Sequence, residues 1–83
     1  MQINYTKSAI IDLQSLPRDT QRRVAQKMRF YAEVENPLRF AEKLTDHKDA
    51  DFRFRIGDYR IKFDVIENQI FVLKIKHRKD IYK

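Results

Sequence analysis

Hydrophobic and polar positions follow two different periods along this 83-residue chain, and the change falls near Phe52. At the start, Ile3 and Tyr5 alternate with Gln2 and Asn4, which predicts a short strand over residues 1–6. Ile10, Leu13 and Leu16 then recur at helical spacing behind Ser8, a residue suited to an N-cap. Pro17 stops that helix and suits the first turn of the next. The second helix is predicted over residues 18–35. Val24, Met28 and Tyr31, flanked by Ala25 and Ala32, form its apolar stripe, and Arg22, Arg23, Gln26, Lys27, Arg29 and Glu33 take the polar, solvated face. Asn36-Pro37 ends it, with a brief helical turn through Leu38 and Ala41, and residues 44–51 read as a polar loop that leaves His47 exposed.

From Phe52 onward the period is two. Phe52, Phe54 and Ile56 alternate with Arg53 and Arg55, and Gly57-Asp58 breaks the run as a two-residue turn would, although the tight type I′ hairpin signal has the reverse order. Tyr59, Ile61, Phe63 and Val65 alternate with Arg60, Lys62 and Asp64, and Glu67-Asn68 makes a second turn. In the last strand, Phe71, Leu73 and Ile75 are expected on the core side, and Ile70, Val72, Lys74 and Lys76 on the other. The predicted order is β-α-α-β-β-β: one α+β domain over residues 1–83, with a small, curved, mainly antiparallel four-stranded sheet and both helices on one face.

Strand parity carries a functional implication. Arg53, Arg55, Arg60, Lys62, Lys74 and Lys76 are expected to share the face turned away from the helices, with Asp64 as their only counter-charge. The exposed face of an antiparallel sheet is ordinarily polar, but it ordinarily mixes signs. Six cations on one small sheet repel one another, which favours an anion as the natural occupant.

Composition sharpens this. The chain carries 18 Lys+Arg against 12 Asp+Glu, a net charge of +6. Residues 1–51 hold nine basic and eight acidic side chains, whereas residues 52–83 hold nine and four, so the surplus belongs to the predicted strands. The absence of cysteine excludes disulfides, Cys-ligated zinc and thiol nucleophiles, and two histidines without ligand spacing give no metal site. A hydrophobic fraction of 42% argues against disorder despite 36% charge. No apolar run approaches the ~18 residues of a membrane helix, and MQINYTKS lacks a signal-peptide core, so a membrane or secreted protein is not expected.

The stretch FRFRIGDYRIKFDVIENQIFVLKIKHRKDIYK, residues 52–83, resembles the C-terminal half of the RelE/ParE superfamily of bacterial toxins. That family carries an arginine-containing strand, a G-x-Y-R turn, an alternating strand and a terminal h-R-x-x-v-Y segment. The first strand ending near Tyr5, the Ala-containing first helix, Leu16-Pro17, Asn36-Pro37 and Lys43-Leu44 agree more loosely. The resemblance implies the RelE-like microbial RNase fold, with two N-terminal helices on the convex face of the sheet and a basic concavity opposite. It also implies a cytoplasmic toxin of a type II toxin–antitoxin system, bacterial or archaeal. RelE-like members cut messenger RNA in the ribosomal A site, and ParE-like members poison DNA gyrase without chemistry.

Metal-free RNA cleavage needs activation of the 2′-OH, stabilisation of a charged phosphorane and protonation of the 5′-oxygen. By resemblance, Arg60 of G-D-Y-R and Arg78 of H-R-K-D-I-Y contact the scissile phosphate, Arg53 and Arg55 stand where relatives carry catalytic lysines, and Tyr82 stacks on or orients a base. Lys62, Lys74, Lys76 and Lys79 are expected to bind the RNA backbone. Arginine effectively does not deprotonate, which leaves the general base unassigned. His77, beside Arg78, is a residue type suited to acid or base work, while its parity with Ile75 points equally to a structural role. The terminal Arg-and-Tyr segment, with Arg60 and the paired arginines, favours the RelE-type reading over the gyrase inhibitor and over a weak relative that only binds antitoxin or RNA. The expected partners are the ribosome, mRNA and a RelB-like antitoxin, acidic and partly disordered until it wraps the helices and shields the cations; no cofactor is expected.

Overall fold

The chain runs from strand β1 (Gln2–Tyr5) through helices α1 (Lys7–Gln14) and α2 (Arg18–Glu33) and a 3-10 turn (Pro37–Phe40). Strands β2 (Glu42–Lys43), β3 (Phe52–Ile56), β4 (Tyr59–Ile66) and β5 (Gln69–His77) follow, and α3 (Arg78–Ile81) adds one helical turn. The computed structural model describes residues 1–45 and 49–81, so Tyr82 and His47 lie outside the described residues. The strands form one sheet in the order β1-β5-β4-β3-β2, antiparallel except for β1 beside β5. The expected four strands are therefore five, because the two-residue β2 pairs with β3 through Glu42–Arg53 and Lys43–Phe52. Among the described residues, no helix is long and apolar enough to cross a membrane.

Local chemistry sets the helix ends. The cap of α1 is Thr6, whose hydroxyl accepts from the Ala9 N–H at 3.2 Å; Ser8, expected in that role, sits within the first turn. Pro17 occupies the N-cap of α2 without a side-chain cap, and Asp19 in the first turn complements the helix dipole. Gln21 reaches back to the Leu16 carbonyl at 2.8 Å and so ties the two helices together. α2 stops at Glu33, two residues earlier than expected, and Asn36 Oδ1 then caps the 3-10 turn by accepting from the Leu38 N–H.

Both helices cover the same face. Ala9, Val24, Met28 and Tyr31 pack against Phe54, Ile61, Phe63, Ile70, Val72 and Ile75. Tyr31 stacks on Phe54 at 3.9 Å between centroids, and Phe54 on Phe63 at 4.4 Å, which continues the helix stripe into the sheet. The core corrects the expected parity of β5. Lys62 pairs with Lys74 but Phe63 pairs with Val72, so Leu73 is an extra residue in a β-bulge. N-terminal to it the faces exchange: Ile70 and Val72 are fully buried, and Phe71 stands opposite Asp64 on the cationic face.

Both hairpins use two-residue turns matched to their residues. Glu67 and Asn68 both have positive φ, as type I′ requires, whereas at Gly57-Asp58 only Gly57 does, with φ +57°, as type II′ requires. The Gly-Asp order is thus the correct one for this turn. Beyond Val72 the free edge of β5 is covered by the first helix. The Thr6 N–H donates to the Val72 carbonyl at 3.0 Å, and the Ile75 N–H donates to Asp12 Oδ2 at 3.0 Å.

Candidate active site

Arg53 pairs with Lys62 and Lys62 with Lys74, while Arg55 pairs with Arg60 and Arg60 with Lys76. Cross-strand partners share a face, so the six cations form two rows across β3, β4 and β5 on the side opposite the helices. This is the arrangement expected from parity, and for Lys74 and Lys76 it holds because both lie beyond the bulge.

The counter-charges differ from expectation. Glu42 stands across from Arg53 and meets two guanidiniums: Oε2 lies 3.1 Å from Arg53 Nη2 and Oε1 lies 3.5 Å from Arg55 Nε. Asp49 Oδ2 lies 3.1 Å from Lys62 Nζ. Asp64, expected to balance the cations, instead accepts the Asp51 N–H at 2.9 Å. Half of the basic face is thus paired with acids from the β2 segment and the loop before β3, and Lys74 bonds the Ser8 hydroxyl.

The other row is different. Arg60 is only 4% exposed, its Nη1 donates to the carbonyls of Gly57 and Tyr59 at 3.0 and 3.1 Å, and its Nε is buried without a partner. Among the described residues no carboxylate pairs with it, although its cross-strand neighbours Arg55 and Lys76 are themselves cationic. A buried charge without a counter-ion costs several kcal/mol, so this position is set up for an anion. Arg78 is held at the same end of the sheet. Its N–H donates to the Asp58 carbonyl at 2.7 Å and its Nε lies 3.6 Å from Asp58 Oδ1. Lys79 is exposed on α3, one residue on.

His77 is placed elsewhere. It pairs with Tyr59 on the helix-covered face, with the two rings edge to face at 5.2 Å, and its Nδ1 accepts the Lys79 N–H at 3.1 Å. That bond leaves Nε2 as the position for its proton when neutral. A cleft of about 390 Å³ beside it is lined by Asp12, Tyr59, Lys76 and Asp80 among others, so His77 borders the end of the cationic row without facing along it.

Two further side chains, outside the site residues expected from the sequence, border this surface. Glu42 lies in a strand too short for alternation to register, and only its pairing with β3 brings it beside the arginines. Arg23, read as part of a solvated helical face, lays its guanidinium against Gly57: a Cβ built there would stand 3.1 Å from Nη1.

Comparison with known proteins places this geometry. A family model described as the ParE toxin of the type II toxin–antitoxin system parDE matches residues 3–82. A chain of the archaeal RelE–RelB complex from Pyrococcus horikoshii superposes with a TM-score of 0.72 at 32% identity, over 93% of each chain. A chain of the toxin–antitoxin complex RelBE2 from Mycobacterium tuberculosis gives a TM-score of 0.75 at 24% identity, over 93% of this chain and 96% of that one. A chain of the RelB–RelE antitoxin–toxin complex from Methanococcus jannaschii gives 0.75 at 24% identity, over 96% and 95%. The two matches at 24% identity speak for the fold. Comparison with curated proteins gave no match.

Proposed function

This chain belongs to the ParE toxin family of type II toxin–antitoxin systems, within the RelE/ParE superfamily, and from that premise we propose that it is a ribosome-dependent mRNA endoribonuclease cleaving in the A site. The observation that carries the proposal is Arg60, a buried guanidinium in the row Arg55–Arg60–Lys76 that no carboxylate of the described residues pairs with. A phosphodiester entering there meets preorganised positive charge where the phosphorane develops, the kind of contact whose removal typically costs about 10²–10³ in rate. Arg78 contributes from the turn end, and Tyr82 follows it in the chain as the base-contacting residue. Arg53, Lys62, Lys74, Lys76 and Lys79 steer the rest of the strand.

Glu42 supplies what the arginines lack. Its Oε1 is buried, makes no hydrogen bond, and sits beside Arg55 on the face where the phosphate would lie. The carboxylate takes the proton of the 2′-OH as the 2′-oxygen attacks phosphorus. The P–O5′ bond breaks, the 5′-oxygen takes a proton from water, and the hydroxide left behind recovers the proton from Glu42. The products are a 2′,3′-cyclic phosphate and a 5′-OH. No metal ion enters this scheme.

The second reading, a gyrase inhibitor, is favoured by the ParE family match and uses the same surface without chemistry. Mapping mRNA 5′ ends after induction separates the two: A-site cuts support the nuclease, whereas intact mRNA with loss of gyrase supercoiling overturns it. Intact mRNA and intact supercoiling would instead leave a relative that only binds. The partner proposed for all three is an acidic RelB-like antitoxin segment, which folds onto the basic surface and whose affinity falls with ionic strength.

A further inference from the structure

Arginines from three separate elements meet at one two-residue turn. Arg60 of β4 donates to the Gly57 carbonyl, Arg78 at the start of α3 holds the Asp58 carbonyl and carboxylate, and Arg23 of α2 lies over Gly57. The missing side chain leaves room for this approach, since a Cβ on Gly57 would stand 3.1 Å from the Arg23 Nη1 and 3.3 Å from its Cζ and would push the guanidinium back by a few tenths of an ångström. Its neighbour Arg22 is engaged with Asp19 at 3.7 Å, whereas no carboxylate of the described residues pairs with Arg23. The one acid at the turn, Asp58, is engaged with Arg78. The turn therefore gathers more guanidinium charge than its carboxylate balances, and the excess cation comes from a helix on the opposite side of the sheet.

We propose that Arg23 is an RNA-binding residue: its guanidinium, together with Arg78, holds the phosphodiester next to the scissile one at the Gly57-Asp58 turn. This deepens the nuclease reading and rests on it. A guanidinium presents a planar fork that matches two phosphate oxygens, and its exposure here lets a polyanion reach it without rearrangement of the helix. The role is one of binding, because Arg23 reaches the turn from outside the Arg55–Arg60–Lys76 row that takes the reacting phosphate.

The test is equilibrium binding of the full-length toxin to a short, uncleavable 2′-O-methyl RNA strand across a salt series. Each phosphate contact on a single strand contributes about 0.7 to the slope of log K against log salt. Arg23→Ala is expected to weaken binding roughly tenfold and to lower that slope by about one contact. Arg23→Lys should retain the slope with part of the affinity, and Arg22→Ala should match wild type in both. A wild-type slope and affinity in Arg23→Ala, with wild type binding normally, overturns this inference and leaves the nuclease reading intact. Failure of wild type itself to bind the strand also overturns this inference, and the nuclease reading, which needs the RNA held only in the ribosomal A site, is decided separately by the mapping of mRNA 5′ ends. An affinity loss with unchanged slope would mean a structural contact to the turn and also counts against the proposal.

Discussion

Arg60 donates through Nη1 to the carbonyl of Gly57, three residues earlier, at 3.0 Å. The bond folds the longest basic side chain of β4 back over its own hairpin, where it is 4% exposed and its Nε finds no partner. Such an arrangement stabilises an incoming anion at the expense of the free protein, so stability and activity should part at this residue. We predict that Arg60→Met lowers mRNA cleavage on the order of 10²–10³-fold while the melting temperature stays equal or rises. Parallel thermal melts and cleavage in a translation extract decide the matter. A melting temperature several degrees lower would make Arg60 a structural residue.

The turn beneath it should be sensitive for two separable reasons. Gly57 has φ +57°, where an L residue costs about 1–2 kcal/mol, and a Cβ there would crowd the Arg23 guanidinium. We predict that Gly57→Ala lowers the melting temperature by roughly 4–8 °C for each kcal/mol lost. The double variant Arg23→Ala/Gly57→Ala should recover the part due to crowding and keep the part due to backbone strain. Equal melting temperatures for the single and double variants would remove crowding from the account.

Strand β5 offers a test of register. Ile70 and Val72 are fully buried, and Phe71 between them stands opposite Asp64 on the other face. We predict that Ile70→Ala costs about 2–5 kcal/mol, as deletion of a well-packed core side chain does, and that Phe71→Ala costs less despite losing more atoms. Urea titrations with unchanged m-values would report this directly. The reverse order would place the bulge elsewhere.

That bulge also shows where the sequence was legible and where it was not. Helices α1 and α2, the strands from Phe52 onward and the six-cation face follow from periodicity, because every one of those elements is long enough to repeat its pattern, whereas the single turn of α3 is too short to do so. One extra residue at Leu73 is enough to invert the faces of the residues before it, and nothing in the alternation of Ile70 to Ile75 marks which residue is extra. Glu42 was invisible for the opposite reason, since a two-residue strand has no period. The pairs Glu42–Arg53 and Asp49–Lys62 take their acids from a two-residue strand and a loop, neither of which has a period to read, so the neutralised half of the basic face became apparent only in the folded chain.

Alkaline pH gives an independent handle on the core. Burial raises the phenol of Tyr31 above its ordinary value of 10.0, and the ring is only 3% exposed against Phe54. A raised folded value means that the neutral phenol's contribution to stability is complete below about pH 10 and is lost as pH rises through the folded value. We predict that wild type loses stability above that point faster than Tyr31→Phe, while the two differ little at neutral pH, as chemical denaturation at several pH values would show. Tyr5, raised by burial as well, remains in both proteins and contributes to the residual slope.

The last prediction concerns the proton. Glu42 is faced by Arg53 and Arg55 on β3, with Lys62 on β4 one strand further and already paired with Asp49. If its carboxylate accepts the 2′-OH proton, cleavage must fail when it is protonated, so the rate of wild type should fall toward acid. Glu42→Gln keeps the shape and one hydrogen-bond acceptor for Arg53 but removes the base. We predict a loss of about 10²–10⁴-fold in single-turnover cleavage, together with disappearance of the acid limb from the pH–rate profile. Glu42→Asp, which retains a carboxylate on a shorter arm, should restore the limb with a reduced rate. If Glu42→Gln slows cleavage but its profile keeps the wild-type acid limb, the carboxylate only positions the arginines and the base is another group. Measuring the profile under single-turnover conditions matters, because ribosome binding and product release titrate with groups of their own and would mask the limb in steady-state rates.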